Sequence, residues 1–294
     1  MDIKKLKITD EKYPKILKEI NDPPELLYYR GNLDALDYPA GIAVVGTRRC
    51  SEYGKQAAEK ITAGLSKNNI TVISGLARGI DAYAHKATLE NKFSAIAVLG
   101  TPVDDKSISP KTNKRLAQNI IESGGIIMSE YESGSRVYPS NFIKRNRIIA
   151  GLSLGVLVIE APLKSGARST ARFAVDYNRD VYAVPGSIFS RLSEGCNDLI
   201  KQGAKCITSA EDILEELNLN YELKLDKPSG NAVQLEGEEK RIYDFIAESQ
   251  EAIHIDTIIE ETKLDPSDVA EIVTKLILED IIEEPKANHY IASM

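Results

Sequence analysis

Residues 41–79 read GIAVVGTRRCSEYGKQAAEKITAGLSKNNITVISGLARG. The stretch opens on an uncharged apolar run, Ile42–Val45, closed by Gly46-Thr47-Arg48. A helix-period segment follows over 51–67. A second run, Ile70–Ile73, then ends in Gly75-Leu76-Ala77-Arg78-Gly79. Short apolar runs bounded by glycine turns read as strands buried on both faces, and strand–helix–strand order reads as a parallel pair with a covering helix. The pattern continues outward, with strands expected at Ala95–Leu99, Ile126–Met128, Val156–Ile159, Val181–Val184 and Lys205–Ile207. Helix-period segments lie between them at 81–90, 113–123, 142–152, 169–178 and 196–202. This alternation predicts an α/β fold, a parallel sheet with helices on both faces. In such a sheet the carboxyl ends of the strands share one edge, and ligands bind in the crevice there. The glycine turns, distant in sequence, are therefore expected to converge on one rim.

Outside that block the chain reads differently. Residues 1–40, punctuated by Pro23-Pro24 and Gly31-Asn32, read as a short leader with one helix around Tyr13–Ile20. The alternating strand–helix block is assigned to 41–217. Residues 218–237, with Lys227-Pro228-Ser229-Gly230-Asn231, read as a linker. Residues 238–294 read as a small separate domain with helices at 238–248, 256–262 and 266–279 and a hairpin through Pro285 to Ile291, a winged-helix pattern.

At 294 residues, 43% hydrophobic and 28% charged, the composition excludes a fibrous, low-complexity or largely disordered chain. The longest uncharged run, Ile148–Ile159, is too short to cross a bilayer, and no apolar core follows Met1, so neither a membrane partner nor secretion is expected. Three cysteines without CxxC spacing point to a reduced, cytoplasmic protein with each thiol a small buried residue. The net charge of −7 hides an asymmetry. Residues 221–294 hold 7 basic and 18 acidic side chains, whereas Arg136–Arg172 holds seven basic residues against Glu160 alone. Local charge decides where a polyanion binds, so this basic locus outweighs the total.

No GxGxxG follows the first strand, and neither GxxxxGK[ST] nor HExxH occurs. No metal site or cofactor is expected, since His85, His254 and His289 lack partners at ligand spacing. His85 follows Asp81 by one helical turn, a spacing that suits a hydrogen bond on the helix face or an acid–base pair. Thr47-Arg48-Arg49 and Arg78 sit directly after strands, where helix-start amides and arginines favour a phosphate. Asn141-Phe142-Ile143-Lys144-Arg145-Asn146-Arg147 sets cations beside an aromatic ring, a combination suited to phosphates and a stacked base. The competing reading makes Phe142 core and the cations a solvated face. Ser165-Gly166-Ala167-Arg168 offers hydroxyls and close-approach backbone to an anion, or serves as a plain helix cap. Asn197 opens another helix on the same rim.

Together these segments resemble the DNA-processing protein A (DprA/Smf) family. The matching strings are AVVGTRR from Ala43, VISGLARGIDAYAH from Val72, AVLGTPVD from Ala97, SEY from Ser129, NFIKRNRIIAGLS from Asn141, VLVIEAPLKSGARSTARFA from Val156, YAVPGS from Tyr182 and GCNDLIKQGA from Gly195. The resemblance implies an extended Rossmann-like domain that binds single-stranded DNA, protects incoming strands in natural transformation and loads RecA recombinase onto them. It implies a homodimer through that domain and no catalysed reaction. Carried over residue by residue, it implies a pocket of Gly46, Thr47, Arg48, Phe142, Lys144, Arg145, Asn146, Ser165 and Gly166, with Gly75, Arg78 and Asn197 beside it. Arg147 and Arg168 join as neighbouring cations.

Departures from the family pattern stand beside the match. The family's N-terminal helical domain does not fit in residues 1–40, Ser109-Pro110 stands where Tyr-Pro is common, and Arg168 replaces an apolar residue. The C-terminal helix expected to read DNA carries Asp268, Glu271 and Glu279 against Lys275, so that domain is expected to meet a protein or regulate rather than bind duplex. Two other functions compete: a sensor holding a small nucleotide at the rim, and a nucleotide phosphoribohydrolase. The latter would need a PGGxGTxxE-type motif, which is absent.

Overall fold

The seven expected strands align side by side in the computed structural model, which describes residues 2–217, 237–247, 249, 252–278, 281–286 and 288–292. They are β3 (Gly41–Val45), β4 (Thr71–Ser74), β5 (Ala95–Leu99), β6 (Ile126–Ser129), β7 (Gly155–Val158), β8 (Asp180–Ala183) and β9 (Lys205–Cys206). All run parallel in the order β6-β5-β4-β3-β7-β8-β9. Every residue of β3, β5, β6 and β7 is buried, which is why these strands read as continuous apolar runs rather than alternations.

Helices cover both faces. On one, α5 (Pro139–Gly151), α6 (Gly166–Asp176) and α7 (Glu194–Lys201) pack through Ile148, Ile149, Ala171 and Cys196 onto Ala43, Val45, Val98 and Val158. On the other, α2 (Glu52–Lys67), α3 (Ile80–Glu90) and α8 (Glu211–Glu216) pack onto Ile42, Val44, Val72 and Leu157. There α4 (Lys114–Glu122) covers Ala95, Ala97 and Ile127. Successive strand residues point to opposite faces, so Ala43/Val45 and Ile42/Val44 divide between the two cores.

Residues 1–40 are not a leader outside the sheet. β1 (Lys4–Lys7) pairs antiparallel with β2 (Leu26–Gly31), which pairs antiparallel with β6 and extends the sheet to nine strands. Tyr28 and Tyr29 enter opposite cores, so β2 shows no polar alternation to mark it, and Pro23-Pro24 just before it reads as loop. The helix expected over Tyr13–Ile20 shrinks to α1 (Lys15–Lys18).

The chain divides into two compact units at 222/223. The linker expected over 218–237 lies outside the described residues up to 236. The second unit contains α9 (Gly237–Ala247), α10 (Ile255–Thr262), α11 (Pro266–Leu278) and the hairpin β11 (Ile282–Lys286)–β12 (His289–Ala292). A short strand, β10 (Ile253–His254), adds to β12. Ile242, Ile258, Val273 and Tyr290 fill its core.

The sheet reverses its winding between β3 and β7: β4–β6 build out on one side and β8–β9 on the other. The crevice therefore opens at the carboxyl ends of β3 and β7.

Candidate functional site

Three turns frame that crevice, each held by buried or half-buried polar bonds. After β3, the Thr47 amide donates to the Glu160 carbonyl at 2.7 Å. The buried Glu160 carboxylate accepts the Ser51 amide at 2.8 Å and the Ser51 hydroxyl at 2.6 Å. Ser51 in turn accepts the Gly54 amide and caps α2. Gly46 admits no side chain: a Cβ there would lie 2.5 Å from Ile80 and 2.9 Å from the Glu160 carbonyl oxygen. So anchored, the turn leaves Arg48 and Arg49 exposed. After β4, the Asp81 carboxylate accepts the amides of Gly75 (3.1 Å) and Ala77 (3.3 Å), leaving Arg78 outside. After β7, Ser165 caps α6 by accepting the Ala167 amide, Lys164 is exposed, and Gly166 faces open space.

A cleft of about 470 Å³ lies among these turns, lined by Gly46, Thr47, Arg48, Arg49, Phe142, Arg145, Asn146, Lys164, Ser165 and Gly166, with Thr170 at its floor. A neighbouring hollow of about 310 Å³ shares Arg48, Arg49, Phe142 and Arg145 and adds Gly75, Arg78, Ser109 and Pro110. Phe142 stands between them, half-buried and outside every hydrophobic core cluster of the described residues. Its ring rests on the backbone at Gly100, where a Cβ would approach it to 2.8 Å. The Arg48 guanidinium carbon sits 5.5 Å from the ring centroid. Among the described residues, none of Arg48, Arg49, Arg78 and Lys164 has a carboxylate partner. Unneutralised cations around one accessible ring suit a phosphate chain with stacked bases.

The other expected cations are used differently. Arg145 is 5% exposed and donates to the carbonyls of Gly75 (2.8 Å) and Val98 and to Asn146 Oδ1. Burial lowers its pKa to about 10, with Asp81 opposing the fall. Burial raises that of Asp81, with Arg145 opposing. Arg147 is buried and pairs with Glu130 (2.6 Å) and Asp22 (3.2 Å), outside the lining. Lys144 leans on the same Glu130 at 3.5 Å. Arg168 pairs with Asp198 at 2.5 Å and bonds the Leu163 carbonyl, turned toward α7. Asn197 closes a two-way hydrogen bond with the Gly186 backbone at 3.0 and 3.1 Å, also off the cleft. Asn146 lines the cleft but spends its amide nitrogen on the Gly166 carbonyl and Ser169 hydroxyl. Conversely, Lys164 is a cleft cation that the sequence reading omits although it adjoins Ser165, and Arg49, read with Thr47 and Arg48 as a phosphate candidate but left out of the carried-over pocket, lines the cleft as well.

The Asp81–His85 hydrogen bond does not form. Asp81 turns to the Gly75 and Ala77 amides, while both nitrogens of His85 are buried with no partner among the described residues. Burial holds that imidazole neutral, lowering its pKa to about 3. Of the three free cysteines only Cys196 is buried, and burial raises its thiol to about 12. Cys206 is exposed and Cys50 intermediate, against the expectation of three buried thiols. No group of three or more metal-binding side chains occurs among the described residues.

Comparison with known proteins gives the family. A family model described as DNA recombination-mediator protein A matches residues 4–218, and one described as DprA winged helix domain matches 226–284. The chain is 48% identical over 209 residues to the DNA processing protein DprA of Streptococcus pneumoniae, covering 71% of this chain and 72% of that protein. It is 43% identical over 221 residues to the protein Smf of Escherichia coli, covering 75% of this chain but only 58% of that longer relative. The X-ray structure of the Streptococcus pneumoniae protein superposes with a TM-score of 0.68 at 46% identity, over 73% of this chain and 74% of that one. A structure of DNA processing protein A from Helicobacter pylori, described as revealing its single-stranded DNA binding mode, matches with a TM-score of 0.66 at 32% identity. It covers 74% of this chain and 95% of that one.

Proposed function

The chain belongs to the DNA recombination-mediator protein A family, and from that membership we propose that its cleft holds single-stranded DNA and that the protein passes the bound strand to RecA recombinase. One observation carries this reading: four cations with no carboxylate partner among the described residues, Arg48, Arg49, Arg78 and Lys164, surround the half-buried ring of Phe142 at the carboxyl edge of the sheet. Backbone phosphates lie on the cations and a base stacks on the ring. Nothing in the cleft is arranged as a nucleophile with its base: Asp81 and Glu160 are consumed by backbone amides and Ser51. The free cations and the accessible ring favour a binding protein rather than an enzyme, working in the cytoplasm on strands taken up in transformation. It pairs through the Rossmann-like domain, with support from the exposed Ile188 and Phe189 and from Leu163, which shares a groove with Ile188.

Fluorescence anisotropy with labelled oligonucleotides of increasing length, single-stranded and duplex, tests the binding reading. Affinity rises with strand length, single strands win over duplex, and log K falls with log salt at a slope of about −2 to −3, as expected for three or four neutralised phosphates. Saturation by a mononucleotide, with no gain from added length, replaces this reading with that of a small-nucleotide sensor.

A further inference from the structure

Phe142 and Arg48 are not the only aromatic–guanidinium pair at this edge. Four residues earlier, where α5 begins, the Arg136 guanidinium carbon sits 5.7 Å from the Tyr138 ring centroid, close to the 5.5 Å of Arg48 over Phe142. Tyr138 is the N-cap of α5 and Phe142 lies one turn further on, so the two ring-bearing residues are about 6 Å apart along the helix axis. The loop that carries the second pair leaves the carboxyl end of β6, on the same edge as the cleft.

We propose that Tyr138 and Arg136 form a second stacking step for the single strand held at Phe142, so that the strand runs along the start of α5 with consecutive bases on the two rings. The proposal rests on the single-strand reading of the cleft. Tyr138 is 49% exposed, against the tendency of a tyrosine ring to pack, and residues 132–140 are exposed throughout. The backbone that carries the ring is nonetheless fixed. Pro139 at the first helical position fixes Tyr138 in extended backbone, φ −116° and ψ 151°, and the Tyr138 carbonyl accepts the Asn141 amide at 3.0 Å. Charge at this end of the helix also favours a polyanion. Arg136 has no carboxylate partner among the described residues. The two nearby acids are neutralised: Glu130 by Arg147 and Lys144, and Glu132 by Lys5. Each step thus repeats one unit, a ring to receive a base with a cation to meet its phosphate.

The test uses the full chain and a single-stranded oligothymidylate carrying one 5-iodouracil, moved position by position, with photocrosslinks mapped by mass spectrometry and affinity followed by anisotropy. Crosslinks to Phe142 and Tyr138 are expected from neighbouring positions of the same strand. Tyr138→Ala removes its own crosslink, keeps that of Phe142 and weakens binding by roughly 5- to 150-fold, the range for one stacked base. Tyr138→Phe restores affinity, and Arg136→Gln shallows the salt slope by about 0.7. Unchanged affinity in Tyr138→Ala, beside a loss in Phe142→Ala, overturns the second step and leaves the cleft reading standing. Wild-type protein that fails to bind single strands overturns both.

Discussion

Arg145 is tied to Gly75 across 70 residues of sequence: its Nη1 donates to the Gly75 carbonyl at 2.8 Å and also to the Val98 carbonyl. On the other side of Gly75, Asp81 collects the amides of Gly75 and Ala77. A basic side chain in the middle of a cation-rich motif thus joins α5 to the turn after β4 and to the carboxyl end of β5.

Removing it takes a charged donor from two buried carbonyls and from Asp81 the charge that most opposes its burial. Arg145→Ala is expected to cost about 3–5 kcal/mol, the range for breaking a buried charged network. Gly75→Ala should cost about 1–3 kcal/mol by overpacking, because its Cβ would lie 2.5 Å from the Arg145 guanidinium and 2.7 Å from the Asp81 carboxylate. Urea melts measure both. An unchanged midpoint for Arg145→Ala, with strand affinity lost, would return Arg145 to the ligand.

Much of this architecture is legible in the sequence because a strand buried on both faces has no room for polar residues. β3, β5 and β7 announce themselves that way. β2 escapes because Arg30 interrupts its apolar run, and that arginine is buried with bonds to the Val103 carbonyl and Asp105 from one distant loop. The site divides along the same line. Its location follows from glycine turns after parallel strands. Which arginine meets solvent does not, since Arg145, Arg147 and Lys144 share one helix and differ only in what lies opposite: carbonyls for the first, Glu130 for the other two.

That division separates the cations functionally. Arg49→Ala and Lys164→Ala should each shallow the salt slope of single-strand binding by about 0.7. Lys144→Ala, whose ammonium already leans on Glu130, should leave slope and affinity within about twofold of wild type. Phe142→Ala should weaken binding by roughly 1–3 kcal/mol at an unchanged slope. Salt titrations of the four variants decide the matter. A steep loss in Lys144→Ala with none in Arg49→Ala would reverse the assignment.

His85 gives stability a pH dependence of definite sign. Its folded-state pKa of about 3 lies below the ordinary 6.5 because burial disfavours the imidazolium. Between these values the unfolded chain binds a proton that the native state refuses, so stability falls as pH drops from about 6.5 toward 3. Asp81, raised by burial, works the other way: its native state gains stability as pH falls through its folded pKa. His85→Leu removes the first contribution and keeps the second. It should be close to neutral at pH 7, since neither imidazole nitrogen has a partner among the described residues, and should flatten the acid decline. Melts of both proteins from pH 7 to 4 check this. Parallel curves for variant and wild type would mean that His85 finds a proton acceptor.

The acidic C-terminal unit carries the last expectation. A winged helix that reads duplex offers its recognition helix to phosphates. Here α11 carries Asp268 and Glu271, and its Lys275 is engaged by Glu239 at 2.5 Å. With 18 acidic against 7 basic residues over 221–294, approach to a duplex is repelled over roughly a Debye length, about 8 Å at physiological salt. Truncation after residue 222, at the boundary of the first compact unit, should therefore leave duplex affinity unchanged or raise it, while single-strand affinity stays in the Rossmann-like domain. Gel-shift titrations of full-length and truncated protein on matched duplex and single-stranded probes read this directly. A truncated protein that loses a duplex affinity present in the full chain would make this domain a DNA reader despite its charge, with contacts that its acidic helix does not provide.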